Sequence, residues 1–184
     1  MDTKKILNLL HNYHPHDLNE IEYKKEIISF IINNENCFQR YNLSGHMTAS
    51  GWLINKTGDL VLLMHHTKLN EWFQFGGHAD GDSDLLKVAI KETQEESGLL
   101  NVSPVMETIF DIDIHAIPEH KNVPPHLHYD IRFLLQLQDN EIEQKNEESI
   151  ELKWFSKNLE LFPNKKASML RMFEKWQTLD KKIR

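Results

Sequence analysis

Between residues 72 and 99 the chain passes from a short apolar segment, through a glycine pair, into an amphipathic helix. Trp72 to Phe75 reads as a brief strand that runs into Gly76-Gly77. Glycine there lets the backbone turn sharply or approach a ligand closely, because no Cβ stands in the way. Asp80, Asp82, Ser83 and Asp84 follow. Side chains of this kind cap a helix N-terminus and suit its dipole. A helix is predicted over about 84–97, burying Leu85, Leu86, Ala89, Ile90 and Thr93 at spacings of three and four. Gly98 stops it. At about 100° per residue, Glu92, Glu95 and Glu96 share a neighbouring arc of about 100°.

Three carboxylates that close repel one another, and a solvated acidic face is what a Glu-rich helix ordinarily presents. A divalent cation reverses the sign. Hard oxygen donors gathered at one point are what Mg²⁺ or Mn²⁺ requires.

The segment resembles the signature of the Nudix hydrolase family, G-x5-E-x7-R-E-U-x-E-E-x-G-U, with U an apolar residue. Gly77, Glu92, Glu95, Glu96, Gly98 and Leu99 match at the family's spacing. Ser83 stands at the first Glu position with Asp82 just before it, Lys91 replaces the Arg, and Thr93 takes the apolar position. The resemblance covers about residues 45–160. It implies an α/β fold, a Nudix-type α/β/α sandwich with a mixed sheet, here with N-terminal and C-terminal helical extensions. It also implies hydrolysis of a nucleoside diphosphate linked to another group. By the same resemblance Glu92, Glu95 and Glu96 bind catalytic Mg²⁺ or Mn²⁺, and the Gly77 carbonyl often joins them. Lys91 keeps the charge of Arg but not its planar fork. Since Ser83 and Lys91 change together, Asp82 or Asp80 is expected to reach Lys91 instead.

The attacking water needs a general base, for which Glu95, Glu119, His120, Glu148 and Glu151 are open candidates. The downstream Pro or Tyr that marks two of the family's subclasses is absent around Ile114 to Ile117. A catalytically degenerate domain that binds a nucleotide-type ligand as a sensor is the alternative function. An isopentenyl-diphosphate isomerase-like enzyme ranks last, because it usually needs a cysteine inside the sheet and Cys37 lies upstream.

Outside this segment the reading is coarser. A helical extension is expected over residues 1–40, before a domain over 41–184 that includes a closing helix at 164–182. Ile6, Leu7, Leu9 and Leu10 mark one short helix, and Asp17 can cap a second. His11, His14 and His16 lie in the break between them and read as a solvated turn. Strands are expected at Met47 to Ile54, Leu60 to Met64, near 105–115 and 127–137, and at Leu152 to Phe155.

Two strands alternate polar and apolar residues. Asp111, Asp113 and His115 share one face, and so do His126, His128, Asp130 and Arg132. An antiparallel hairpin pairing His115 with His126, Asp113 with His128 and Asp111 with Asp130 is expected. Its polar side is read as a substrate-facing wall, with Arg132, His126 and His128 as substrate contacts. A further metal on His115, His126 and His128 is the second use weighed for it. Arg40 and His78 are further substrate candidates, and Trp72 and Phe75 could stack on a base.

The formal net charge is −7, with 28 Asp plus Glu against 21 Lys plus Arg. That excess disfavours a broad nucleic-acid surface and suits a small nucleotide-type substrate approached through a metal. Cys37 is the single cysteine, expected as a buried thiol. No stretch approaches a membrane span, so a cytoplasmic protein is expected. The apolar faces of the terminal helices require cover, from the chain itself or in a homodimer.

Overall fold

The structure, a computed structural model, describes residues 3–119 and 123–179. Helix α1 spans Lys4–Asn12 and α2 spans Leu18–Asn33. Strands β1 (Gly45–Ile54), β2 (Leu60–His66), β3 (Trp72–Phe73) and β4 (Phe75–His78) follow, and then α3 (Leu85–Ser97). Strands β5 (Val102–Pro104), β6 (Asp111–Ile117), β7 (His126–Leu137) and β8 (Ser149–Ser156) come next, and α4 (Ala167–Thr178) closes the chain. The hydrogen-bonded strand order is β3-β2-β1-β7-β5, with β4 on β1, β6 on β7 and β8 on β2. The interleaved strands and helices are those of the α/β fold expected. Among the described residues no helix is long and apolar enough to cross a membrane.

The chain divides into two compact units, whose boundaries fall inside β1, β4, α3 and β7 and between β5 and β6. The first holds residues 1–50, 76–89 and 107–133. In it Asp17 caps α2, accepting from the Glu20 N–H at 2.8 Å. Glu20 is itself buried and accepts from the Tyr13 hydroxyl, from His16 N–H at 2.6 Å and from Ile112 N–H at 3.3 Å. One carboxylate thereby ties the turn between α1 and α2 to β6. Phe30 of α2 stacks on Tyr129 of β7 with ring centroids 3.9 Å apart, and Cys37 and Phe38 lie fully buried. His14 and His16 are exposed in the turn between α1 and α2, whereas His11, also exposed, lies in the last turn of α1 rather than in the break.

The second unit holds residues 51–75, 90–106 and 134–184. Here β2 pairs antiparallel with β8 and with the end of β1, with Leu62 opposite both Leu53 and Trp154. Helix α4 buries Met169, Met172, Phe173 and Trp176. The Trp176 ring meets Trp52 edge-on at 6.2 Å, and its indole N–H donates to the Gly58 carbonyl at 3.1 Å.

Two strand expectations are corrected. The segment near 105–115 is two strands, because residues 106–109 leave the β7 ladder between the Val105–Leu134 and Phe110–Arg132 hydrogen bonds. The brief strand at 72–75 is likewise split at Gln74: Trp72–Phe73 pair with β2, whereas β4 pairs with β1.

Candidate active site and histidine cluster

Helix α3 starts as its sequence dictates. Asp84 accepts from Lys87 N–H at 3.4 Å and Asp82 from Asp84 N–H at 2.9 Å. Gly98 ends the helix at φ +72°, a left-handed conformation that side chains rarely adopt. Glu96 is only 5% exposed, Glu92 is half-buried and Glu95 is exposed. Lys91 Nζ lies 3.1 Å from Glu92 Oε1 and 3.2 Å from Glu95 Oε2. Hydrogen bonds donated to Glu92 and then Glu95 hold the Lys91 ammonium above its usual range.

Glu92 and Glu95 thus share one ammonium, on the helical arc where Glu96 also stands. The chemistry of these oxygen donors fits a hard divalent ion. The expected link from Asp82 or Asp80 to Lys91 is not formed. Asp82 pairs with Lys87 at 2.9 Å, and Asp80 pairs with Arg40. Lys87 stands a full turn, roughly 6 Å along the axis, closer to the helix start than Lys91 does.

On β4, Gly76 lies against β1 so closely that a Cβ would sit 2.4 Å from Ser50 Oγ and 2.8 Å from the Ala49 carbonyl. Only glycine permits that approach. Gly77 and His78 follow it, both half-buried.

The β6–β7 hairpin has the expected faces but a register shifted by two residues. His115 pairs with His128, Asp113 with Asp130 and Asp111 with Arg132. The ladder closes at Ile117 and His126, nearer the loop than expected. A two-residue shift keeps every side chain on its side of the sheet. It also brings Arg132 among carboxylates: Nε is 2.8 Å from Asp130 Oδ2, Nη1 is 3.1 Å from Asp111 Oδ1 and Nη2 is 3.0 Å from Asp113 Oδ2. Asp130 also accepts from the Thr48 and Ser50 hydroxyls at 2.9 Å. Arg132 is 3% exposed, so its fork serves these buried carboxylates rather than an arriving phosphate. Arg40 is exposed and directed at Asp80.

Beside this network His46, His78 and His128 gather, with ligand atoms all within 4.8 Å of one another. His126 flanks the rings of His46 and His128 at centroid distances of 4.9 and 5.2 Å. His115 lies 5.4 Å from the His128 ring and 3.2 Å from Asp113 Oδ2. The expected metal trio was His115, His126 and His128. His46 was missed, although His46, Thr48 and Ser50 alternate along β1 and carried the signal. Burial, and then the neighbouring positive groups, push the His78 imidazole down to about 4 and that of His128 down to about 2.

Trp72 stacks on His65 at 5.0 Å beside an open cleft that Asn164 and Lys166 also line, whereas Phe75 is fully buried and belongs to the core. Among the candidate bases Glu119, Glu148 and Glu151 are exposed, and His120 lies outside the described residues.

The chain is similar to known proteins. A "Probable DHNTP pyrophosphohydrolase" of Lactococcus lactis subsp. cremoris is 32% identical over 87 residues, 46% of this chain and 51% of the relative. The chain therefore spans about half the length of that relative. A NUDIX-family hydrolase of Clostridium perfringens superposes with a TM-score of 0.54 at 26% identity, over 73% of this chain and 97% of that one. An Ap4A hydrolase of C. elegans superposes with a TM-score of 0.55 at 19% identity, again over 73% and 97%, a likeness of fold. The NUDIX domain profile matches residues 45–176, from the first residue of β1 almost to the end of α4, and on that match the chain belongs to the Nudix family.

Proposed function

We propose that the protein is a divalent-metal-dependent pyrophosphohydrolase that cleaves a nucleoside diphosphate linked to another group. The observation that carries this reading is the α3 donor set, with Glu96 buried and Glu92 and Glu95 gathered around one ammonium. Glu92, Glu95 and Glu96 would hold Mg²⁺ or Mn²⁺, as the family signature implies. Such an ion neutralises phosphate oxygens and lowers the pKa of an attacking water. The chain's own part is to present the oxygens, and to keep Lys91 at hand as the cation that balances Glu92 and Glu95 before an ion arrives. A substrate among nucleotide-like di- and polyphosphates is supported by the likeness to a relative named as a DHNTP pyrophosphohydrolase. Of the polar candidates His126 and Arg40 stand open enough to meet such a substrate, although Arg40 must first leave Asp80. The buried Cys37, whose thiol burial pushes up to about 11, gives an isomerase-type reaction no reactive sulfur.

Glu96→Gln keeps the side-chain volume and removes the charge. Phosphate release from a panel of nucleotides, with Mg²⁺ or Mn²⁺ and a coupling phosphatase, is expected to fall at least ~100-fold with the circular-dichroism spectrum unchanged. Near-wild-type turnover by this variant sinks the metal assignment. Tight nucleotide binding without turnover in the wild type moves the reading to a sensor.

A further inference from the structure

Three imidazoles from three strands meet in the first unit. His46 stands near the start of β1, His78 ends β4 and His128 stands near the start of β7. None of the three is a residue of the family signature's carboxylate set. His46 is 3% exposed, and its Nδ1 faces the Asn42 carbonyl at 3.5 Å. With the proton on Nδ1, the lone pair is left on Nε2. That Nε2 is buried without a hydrogen-bond partner, and so is Nε2 of His128. Buried polar nitrogens are ordinarily paired, and two orphans in one cluster call for a reason. Neighbouring imidazoles do not supply it, because none makes a hydrogen bond to either nitrogen. A cation that accepts both lone pairs does.

We propose that His46, His78 and His128 form a second metal site, for a transition-metal ion of the Zn²⁺ class. All three ligands are nitrogens, and imidazole suits Zn²⁺, Cu²⁺ and Ni²⁺, whereas Mg²⁺ and Mn²⁺ select oxygen. The spacing fits a pocket that tightens on loading. Tetrahedral Zn–N bonds of about 2.0–2.1 Å place the nitrogens roughly 3.3 Å apart. Atoms no more than 4.8 Å apart each need to move inward by only roughly 0.8 Å or less. The Asn42 carbonyl behind His46 is the kind of support that fixes a ligand's tautomer and ring orientation. Three protein ligands leave a fourth position open to water or to an oxygen of a bound molecule.

The test uses the full chain, stripped with EDTA and returned to saturating Mg²⁺ so that the α3 carboxylates are occupied. Zn²⁺ affinity is read by competition with a chromogenic chelator, stoichiometry by native mass spectrometry, and geometry by the visible absorption of the Co²⁺ form. One equivalent of Zn²⁺ is expected, with a tetrahedral Co²⁺ spectrum. Affinity is expected to drop at least ~10-fold in His46→Gln, His78→Gln and His128→Gln, and to stay unchanged in Glu96→Gln and His14→Gln. Circular dichroism checks the fold of each variant. His78→Gln, at a half-buried position, carries the reading if His46→Gln unfolds. The proposal is overturned if the wild type binds no Zn²⁺, if the folded histidine variants keep its affinity, or if only Glu96→Gln loses it.

Discussion

Arg132 sits where its charge cannot be removed without cost. Its guanidinium is fully enclosed and meets Asp111, Asp113 and Asp130 at 2.8 to 3.1 Å. Desolvating such a group is expensive, yet removing the cation is worse, because buried carboxylates are then left uncompensated. Arg132→Met fills the same space without charge and is expected to lower stability by about 3–5 kcal/mol, read from the urea unfolding midpoint at pH 7. An unchanged midpoint would mean that the three aspartates are protonated or solvated without it. The alternation of residues placed these four side chains on one face. It could not say what that face meets, because period two separates sides of a strand but does not identify which side is water. Here the polar side is turned inward, where Asp130 also takes hydrogen bonds from Thr48 and Ser50 of β1. That contact spans about eighty residues of chain and leaves no local mark.

At the scale of elements, α3 was the most legible part of the molecule. Its boundaries, caps and buried face follow from short-range rules, and Leu85, Ala89 and Thr93 are buried as the spacing requires. The carboxylate arc belongs to the same local pattern, so this part of the site could be read directly. What long-range pairing decides was not legible: the split of β5 from β6, the hairpin register, and the arrival of His46 beside His78 and His128 from a separate strand. Asp84 tests the local logic. It accepts from the Lys87 N–H and also pairs with Lys5 at 2.7 Å. Asp84→Ala removes both and is expected to cost about 1 kcal/mol, while Asp84→Asn keeps an acceptor and costs about half of that. Urea midpoints at constant slope measure the two. If the variants prove equal, the ion pair and helix-dipole charge outweigh the cap.

For the molecule as a whole, the net charge of −7 sets the surface, but the buried titratable groups set how stability follows pH. His46, His78 and His128 face one another from β1, β4 and β7, with His115, His126, Arg40 and Asp80 around them. Burial first, and then the neighbouring cations, lower all three imidazoles below their ordinary 6.5, His78 to about 4 and His128 to about 2. Below 6.5 the unfolded chain therefore takes up protons that the folded protein refuses, and stability falls as pH falls. For His78 the fall continues to about 4 and for His128 to about 2, whereas above 6.5 nothing is lost. Cys37 works at the other end: burial raises its thiol from 9.0 to about 11, so stability holds below 9.0 and declines as pH rises from there to about 11. The surface carboxylates with lowered values, exposed Asp59 and half-buried Asp82 and Asp139, act only near and below 3.8 and count for little in water. A plateau between about pH 6.5 and 9 follows, and one wholly refused proton tilts its acid side by about 1.4 kcal/mol per pH unit. In EDTA the urea midpoint is expected to be level from pH 7 to 8.5 and to drop clearly by pH 5. His128→Gln removes one imidazole and relieves its neighbours, so its midpoint should change less between pH 7 and 5 than that of the wild type. An acid limb of equal steepness in that variant would place the proton uptake on residues outside the cluster.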